Sequence, residues 1–531
     1  MDKVRQTKTL ADRRPLVRLI VGSYPDAGIF TKVAKNMPPL GLVNVATSIS
    51  EYPKKEYSDF RVEIIDENNY CGPRDENGLP DHKMLQLENP AQVVGFYTGL
   101  TSTVDRAYEL SRFYSSRGAF LIAGGWHAHY LPEEALANGF DIVVHGDGEI
   151  VINQILAAWK NNKPFSSIPG ISFRESGRVK TNLIKGQKPT ELPFLKVPDL
   201  NAISYPNFNL LKYAGEIKLY PISWIRGCRW KCEFCLVKGK PRWPRAMYIF
   251  GLIKHLVKTR GARAFFLVDD RLEEELAREE LLFLLKLIGD EFGDNLAFTI
   301  QIRAKTAEDT VLLKAMKRAG VVNVCVGLES PIDEDLKAMH KGFTVKQMIE
   351  WVKILRRYFW VHGMFIFGYP SEEKSALTAK EMIERYKDFI RKTKISSIQI
   401  LHPVPIPGSD LWKRLSLDGR IFPLNVVPWS RYDGGSACFI PDNMSLADFQ
   451  EGPFKLMKWF YSGASFWTIP LRTISFPFEY LVTGWERWHH AWAREIVKYG
   501  GHLLMQKWRA YRESELFTKK LEEHMNMKSG K

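Results

Sequence analysis

The sequence predicts an α/β protein in three parts: a doubly wound parallel sheet, a partial (β/α)6 barrel of TIM type, and a helical C-terminal region. Three observations carry this. Short apolar runs alternate with amphipathic stretches through the first 150 residues, a second alternating series runs from Tyr220 to Leu401, and from about Leu446 the pattern turns helical and aromatic-rich. A length of 531 residues calls for more than one core, since single cores stop growing at roughly 250–300 residues. The expected units are 1–160, a linker over 161–215, 216–440 and 441–531.

In the first unit, Val17 to Ser23 reads as a strand, Pro38 to Gly41 as a loop and Leu42 to Ile49 as a helix. Further strands are expected at Arg61–Asp66, Val93–Tyr97, Phe120–Ala123 and Ile142–Val144, with helices at Val104–Tyr114 and Pro132–Asn138. Such alternation makes a parallel sheet whose ligand crevice lies at the carboxyl ends of the strands. Those ends carry Thr98, Gly99 and Ser102, then Gly124, Gly125 and His127, then Gly146, Gly148 and Glu149. Glycines there let a backbone approach a ligand closely, although Gly-rich turns also follow strands for purely structural reasons.

Residues 160–215 are rich in Pro, Asn and Lys and contain two short strand-like runs, at Ile168–Phe173 and Leu192-Pro193. Tyr220 to Ile225 is then a strand, and on the loop behind it stand Cys228, Cys232 and Cys235 with spacing C-x3-C-x2-C. Structural zinc takes four ligands, commonly as paired units, and no fourth Cys or His lies close in sequence. Three thiolates suit a [4Fe-4S] cluster in which one iron keeps an open position. Strands follow at Ala264–Val268, Leu296–Ile302, Val321–Gly327, His362–Phe367 and Ile395–Leu401, with helices between them such as Glu273–Leu287, Ala307–Ala319 and Val345–Arg357. With the strand before the cysteines these make six βα units, which gather functional groups on their carboxyl-end loops.

The C-x3-C-x2-C motif, with Phe234 before its third cysteine, is the signature of the radical S-adenosylmethionine superfamily. The segment from PPLG through GGWHAHYLPEE to HGDGE resembles the cobalamin-binding, Rossmann-like domain that precedes the barrel in the cobalamin-binding branch of that superfamily, over about residues 15–155. FFLVDDR, TIQIRA, VGLES, LKAMHKGFT, HGMFIFGYP and IQILHPVPIPGS are likewise similar to that branch. The resemblance implies a [4Fe-4S] cluster on Cys228, Cys232 and Cys235 that binds S-adenosylmethionine, with contacts from Glu329, Ser330 and Arg303, Gly368 near the adenine, and Asp269 and Asp270 near the methionine end. Helix capping is an equally good reading of those two aspartates. It implies cobalamin at Thr98, Ser102, Gly124, Gly125, His127, Gly146, Gly148 and Glu149. The Asp-x-His-x-x-Gly motif of mutases is absent, which implies a corrinoid held without a histidine on its lower face; His127 and His129 have the wrong spacing for that role.

The reaction implied is methyl transfer to an unactivated carbon, with one S-adenosylmethionine supplying the methyl group and a second the radical. A cyclisation, rearrangement or oxidation without methyl transfer, or a non-catalytic iron-sulfur or corrinoid module, would share these motifs. The partners implied are a small-molecule substrate and a reductant such as flavodoxin or ferredoxin.

Composition narrows the setting. With 45% hydrophobic and 25% charged residues the chain is an ordinary folded protein. Six cysteines, three of them clustered, do not make a secreted disulfide framework and fit a cytoplasmic protein. No run of about 18 uncharged apolar residues occurs. The net charge of +15 comes from scattered Lys and Arg without a block of five, a basic surface and not a nucleic-acid site. Cys325, inside an apolar strand, reads as a packing residue, and Cys71 and Cys438 fall in polar loops. In the C-terminal region Trp485, Trp488, Trp492 and Trp508 interleave with basic residues, which suits helices covering the barrel mouth or, for a lipophilic substrate, a peripheral membrane contact.

Overall fold

Leu16–Val21 (β1) is buried along its whole length because strands lie on both sides and helices pack on both faces. It pairs in parallel with Arg61–Asp66 (β2) on one edge and Val93–Tyr97 (β3) on the other. Phe120–Gly124 (β4) and Ile142–Val144 (β5) continue the parallel sheet in the order β2-β1-β3-β4-β5. The winding reverses between β1 and β3, which opens a crevice at the carboxyl ends of these strands. The computed structural model describes residues 12–25, 35–51, 53–54, 57–182, 198–269, 271–371, 377–442, 444–462, 465–476, 485–507 and 510–529. The helix expected from Leu42 begins at Leu40, directly after the N-cap Pro39, so Leu40 and Gly41 belong to its first turn.

A larger difference lies in the stretch expected as a linker. Ile171–Glu175 (β6) and Arg178–Thr181 (β7) join the same sheet antiparallel to β5, making seven strands. Ser176 and Gly177 both have positive φ, 51° and 80°, the two-residue turn whose twist matches a tight hairpin. Side chains tie the hairpin to the parallel strands: buried His145 has Nδ1 3.0 Å from buried His129 Nδ1 and Nε2 2.7 Å from buried Ser172 Oγ, and Ser172 Oγ lies 2.7 Å from Oγ1 of the exposed Thr181. The Leu192-Pro193 run lies outside the described residues.

The second sheet has six parallel strands in chain order: Tyr220–Ile222 (β8), Ala264–Leu267 (β9), Ala297–Ile302 (β10), Val321–Glu329 (β11), Trp360–Ile366 (β12) and Ser397–Leu401 (β13). Alternate residues of β10, β12 and β13 are buried, as an open barrel with helices on its outer face requires. β11 runs past the expected end at Gly327 and includes Glu329, where the register slips and φ is +59°.

Behind the barrel, helix Leu446–Phe460 buries Phe449 against Gly368, whose φ is +71° and where an added Cβ would sit 2.7 Å from the Phe449 ring. Helices Ser465–Ile474, Trp485–Lys507 and Ala510–Ser529 follow, so the described residues of the helical stretch expected over Trp485–Arg512 are helical. Residues 477–484, Trp508 and Arg509 lie outside the described residues. No helix among the described residues is long and apolar enough to cross a membrane. The buried apolar side chains of both sheets and these helices form one connected cluster. Cys325 is buried as expected, and burial pushes its thiol up to about 11. Cys438 corrects the polar-loop expectation: it is fully buried with its sulfur 3.5 Å from the Ser436 carbonyl, and only Cys71 is exposed.

The histidine pair has a consequence for stability. Burial lowers His145 to about 4 and His129, also beside His145, to about 3, so both are neutral when folded and the unfolded chain takes up protons first. Stability is therefore full above the unfolded value of 6.5 and falls as pH drops toward 4, by about 3 kcal/mol for His145 alone. Urea unfolding across this range, repeated with His145→Gln, checks it; the variant should lose much of the slope.

Candidate functional site

Between β8 and helix Ala246–Arg260 the chain forms a long irregular loop that carries the three clustered cysteines. Its neck is closed by a two-residue antiparallel bridge, Arg226 N to Arg242 O at 2.9 Å and Arg242 N to Arg226 O at 3.0 Å. Asp269, after β9, accepts from Ser223 Oγ at 2.7 Å and from Trp224 N at 2.8 Å, and so fixes the chain entering the loop. Trp224 is fully buried behind it. Asp269 thus fixes the loop backbone; Asp270 lies outside the described residues.

Within the loop, Cys235 N donates to Cys232 O at 3.1 Å, and Val237 N donates to Cys235 Sγ at 3.3 Å. None of the six cysteines forms a disulfide. Among the described residues no group of three or more His, Cys, Asp or Glu stands close enough together to hold a metal ion.

Glu233, between the second and third cysteines, is a centre of the loop's anchorage. Its carboxylate takes Arg414 Nε at 2.6 Å, Arg414 Nη2 at 3.0 Å and the Tyr369 hydroxyl at 2.6 Å, while its carbonyl accepts from Leu411 N at 3.0 Å. A fork-to-fork guanidinium–carboxylate pair fixes orientation as well as distance. Arg229 pairs with Glu274, and Lys238 with Asp410 at 2.6 Å.

Two cations lie within electrostatic reach of the thiols. Arg303 stacks 3.7 Å over the Trp230 ring; burial lowers its pKa, while Cys232 and Cys228 act to support its charge. Lys341, on the loop after the short helix Asp333–Ala338, is held by Glu329 at 2.8 Å and lies 5.8 Å from the Phe234 ring centre. Burial works against its charge, but Glu329 and Cys232 outweigh burial and hold it above the ordinary lysine value. Three thiolates are an anionic donor set, and this cationic surround suits them.

The remaining expected barrel residues are placed less directly. Ser330 is fully buried, donating to Asp335 at 2.6 Å and accepting from Tyr386 at 3.3 Å, which puts its hydroxyl in a layer behind Glu329. Gly368 is required by Phe449, whatever else approaches it.

The leading sheet meets the thiol loop at its strand ends. Asp147 accepts from Arg242 Nη2 at 2.8 Å and lies 3.5 Å from Arg226 Nη1, while Glu149 holds Arg226 Nη2 at 2.8 Å. Both neck arginines therefore grip the loop after β5, and Glu149, expected to bind a cofactor, is an anchor for Arg226. Tyr130, from the short helix Trp126–Tyr130, packs its ring against Gly408, where an added Cβ would sit 2.3 Å away, and is close enough to Cys235 and Asp410 for their charge, after burial, to raise its phenol pKa. Glu134 accepts from Trp429 Nε1 at 2.8 Å and Asp105 from Ser430 N at 2.8 Å.

At the crevice itself, Thr98 N and Oγ1 both donate to Gly124 O, at 2.7 and 3.2 Å, and Thr98 O accepts from His127 N at 3.0 Å. Gly125, φ +127°, leaves no space for a side chain, since a Cβ would lie 2.4 Å from Gly99 N; a Cβ on Gly124 meets nothing within 4 Å. Gly146 also has positive φ, 77°, and Ser102 is buried in the turn after β3. A Cβ on Gly148 would press on Val45 at 3.1 Å. Glycines thus edge two successive strand ends of this sheet, at Gly124 and Gly125 and at Gly146 and Gly148. His127 is engaged at both ring nitrogens, by Thr101 at 3.3 Å and Glu134 at 3.5 Å, and packs edge-on to Trp429. His145 is likewise engaged at both. A ligand at these strand ends would find these two imidazoles committed to the protein, in keeping with the missing mutase motif.

Sequence reasoning missed Glu233, Arg414, Tyr369, Lys341, Arg226 and Asp147. An acid set between two clustered cysteines was a usable signal for Glu233. Arg414 lies 181 positions away and offered none.

Residues 222–383 match the family model described as the Radical SAM superfamily. An uncharacterised methyltransferase of Pyrococcus horikoshii is 27% identical over 78% of this chain and 85% of its own. The anaerobic magnesium-protoporphyrin IX monomethyl ester cyclase of a Synechocystis strain is 24% identical over 64% of this chain and 67% of its own. Among solved structures, the cobalamin-dependent S-adenosylmethionine radical enzyme OxsB, with aqua-cobalamin and S-adenosylmethionine bound, superposes with a TM-score of 0.62 over 97% of this chain and 81% of that one, at 15% identity. The radical S-adenosylmethionine methyltransferase TsrM of Kitasatospora setae, with cobalamin and a [4Fe-4S] cluster bound, gives 0.60 over 76% and 78%, also at 15% identity. At these identities the shared property is the fold.

If Glu233 anchors the thiol loop, Glu233→Gln should raise the rate at which iodoacetamide labels Cys232 and Cys235 in the metal-free protein by about tenfold, the equivalent of ~1.4 kcal/mol of local opening. Mass-spectrometric labelling kinetics read this, and unchanged rates would mean the loop is held elsewhere.

Proposed function

We propose that the chain, whose residues 222–383 match the radical S-adenosylmethionine superfamily model, is a cobalamin-dependent radical S-adenosylmethionine methyltransferase acting on an unactivated carbon of a small molecule. The observation that carries the reading is the seating of the thiol loop against the strand ends of the leading sheet, through Arg226 and Arg242 on Asp147 and Glu149. In this reading the thiol loop and the strand ends of the leading sheet serve one reaction space.

Cys228, Cys232 and Cys235 hold a [4Fe-4S] cluster whose open iron takes S-adenosylmethionine, and the strand-end set of Thr98, Ser102, Gly124, Gly125, Gly146 and Gly148 takes cobalamin. When bound, these groups supply the radical and the methyl group. The chain's own residues do the holding. Glu233 and Asp269 keep the thiols on one side of the space. Arg303 and Lys341 offset the negative charge of thiolates, and Lys341 also sets the Glu329 carboxylate. Tyr130, Gly408 and Trp429 close the seam between the two sheets, which limits water at the reacting centre. We assign the corrinoid to a unit that runs through β7, to about residue 182, in place of the expected boundary at 160. The finer setting we propose is cytoplasmic, with an external one-electron donor of the flavodoxin or ferredoxin class.

The cyclase relative favours one alternative, a radical ring closure or oxidation without methyl transfer. Anaerobically reconstituted protein, given methyl-labelled S-adenosylmethionine and a small-molecule extract of cells, separates the two. We expect bound iron, sulfide and cobalamin, 5′-deoxyadenosine release, and label in extracted small molecules. Replacing any one of Cys228, Cys232 and Cys235 with Ala should abolish the release. Release without label in any product would favour the alternative, and reconstituted protein without cobalamin would refute the corrinoid assignment.

A further inference from the structure

The helix Ser465–Ile474 presents its apolar face to solvent. Trp467, Leu471 and Ile474 follow one another at i, i+4 and i+7 and are 70%, 64% and 76% exposed. Its inward contact is polar, Thr468 Oγ1 donating to Glu495 Oε2 at 3.2 Å, while Thr473, itself exposed, accepts from Trp492 Nε1 at 3.1 Å. A surface helix ordinarily has the opposite arrangement, so this ridge is shaped for a second surface.

The charges beside it indicate which. Lys498 loses basicity through burial and also through Arg494 and Arg472, which places the three cations together, and Arg494 acts in the same way on Arg356. Among them stands the acid Glu495, itself 8% exposed and already shared by Thr468, Arg494 and Lys498. The sequence beyond the helix, SFPFEYLVT over 475–483, is aromatic and apolar with one acid. The ridge is one 10-residue helix, about 15 Å long, and three side chains on it fall well short of the roughly 800 Å² per partner that a stable protein interface buries. An apolar ridge with Trp at one end and a cationic flank matches the requirements of a lipid interface instead.

We propose that the ridge of Trp467, Leu471 and Ile474 seats on the surface of an anionic lipid bilayer, as a peripheral contact with Arg472, Arg494 and Lys498 behind it. This does not depend on the reaction proposed above.

Vesicle flotation of the full-length protein tests it. Wild type should float with vesicles of equal parts phosphatidylcholine and phosphatidylglycerol, stay down with phosphatidylcholine alone, and be released by added salt, which screens the cations. The double variant Leu471→Ser/Ile474→Ser should reduce the bound fraction about tenfold while keeping the wild-type melting temperature, since both positions are exposed. Arg472→Gln/Lys498→Gln should erase the preference for the anionic vesicles. Wild type that does not float, or an apolar variant that floats equally well, overturns the proposal. So does a wild-type dimer in sedimentation that the apolar variant abolishes without any flotation, which would assign the ridge to a second copy.

Discussion

Asp147 is a single carboxylate gripped by two arginines, and the geometry of the whole site depends on that grip. Arg226 and Arg242 bracket the thiol loop at its neck, and their backbones close the loop while their side chains reach across to the leading sheet. Without Asp147 two guanidinium groups would crowd each other at the neck. With it, the same two residues define where the loop starts and ends and how far it stands from the glycine-edged crevice. The cost of desolvating these charges is offset because the pairs are hydrogen-bonded and Glu149 takes the remaining face of Arg226.

Electrostatics also explains why the loop tolerates so much charge. Glu233 is an acid placed among thiols, and unpaired it would oppose any anionic ligand set. Its charge is cancelled by Arg414 in a forked pair and its second oxygen is occupied by Tyr369, so what the thiols experience is the positive field of Arg303 and Lys341. Glu329 adopts a left-handed backbone conformation that a glutamate rarely takes, and its contact with Lys341 is the interaction set against that strain.

What could be read from the sequence was what local patterning encodes. The parallel strands were legible because buried strands show as short runs rich in β-branched and aromatic residues, as at Arg61–Asp66 and Val93–Tyr97, and the thiol loop was legible because three cysteines seldom crowd into eight residues unless they share a ligand. Of the hairpin, β6 was partly legible in the run Ile168–Phe173, but β7 was not, because Arg178, Lys180 and Thr181 face solvent on an edge and carry no apolar signal. Among the candidate residues, the glycines at Gly125 and Gly146 were found because positive φ is a property of one residue. Roles created by distant partners were hidden: Glu149 serves Arg226, Ser330 serves Asp335 and Tyr386, and Cys438 is fully buried in a stretch that reads as polar loop.

The distances along the chain between these partners set an order in time. The neck bridge joins residues 16 positions apart, since 242 − 226 is 16, and the leading sheet that receives it precedes the loop in the chain. The Glu233 anchor, however, spans 181 residues to Arg414. During synthesis from the N-terminus the three thiols therefore emerge, and can be positioned at their neck, long before the residue that holds their middle exists. Until then they are ordinary oxidisable cysteines. The site is closed last, by a residue beyond the final barrel strand, which makes completion of the barrel a precondition for an ordered thiol loop.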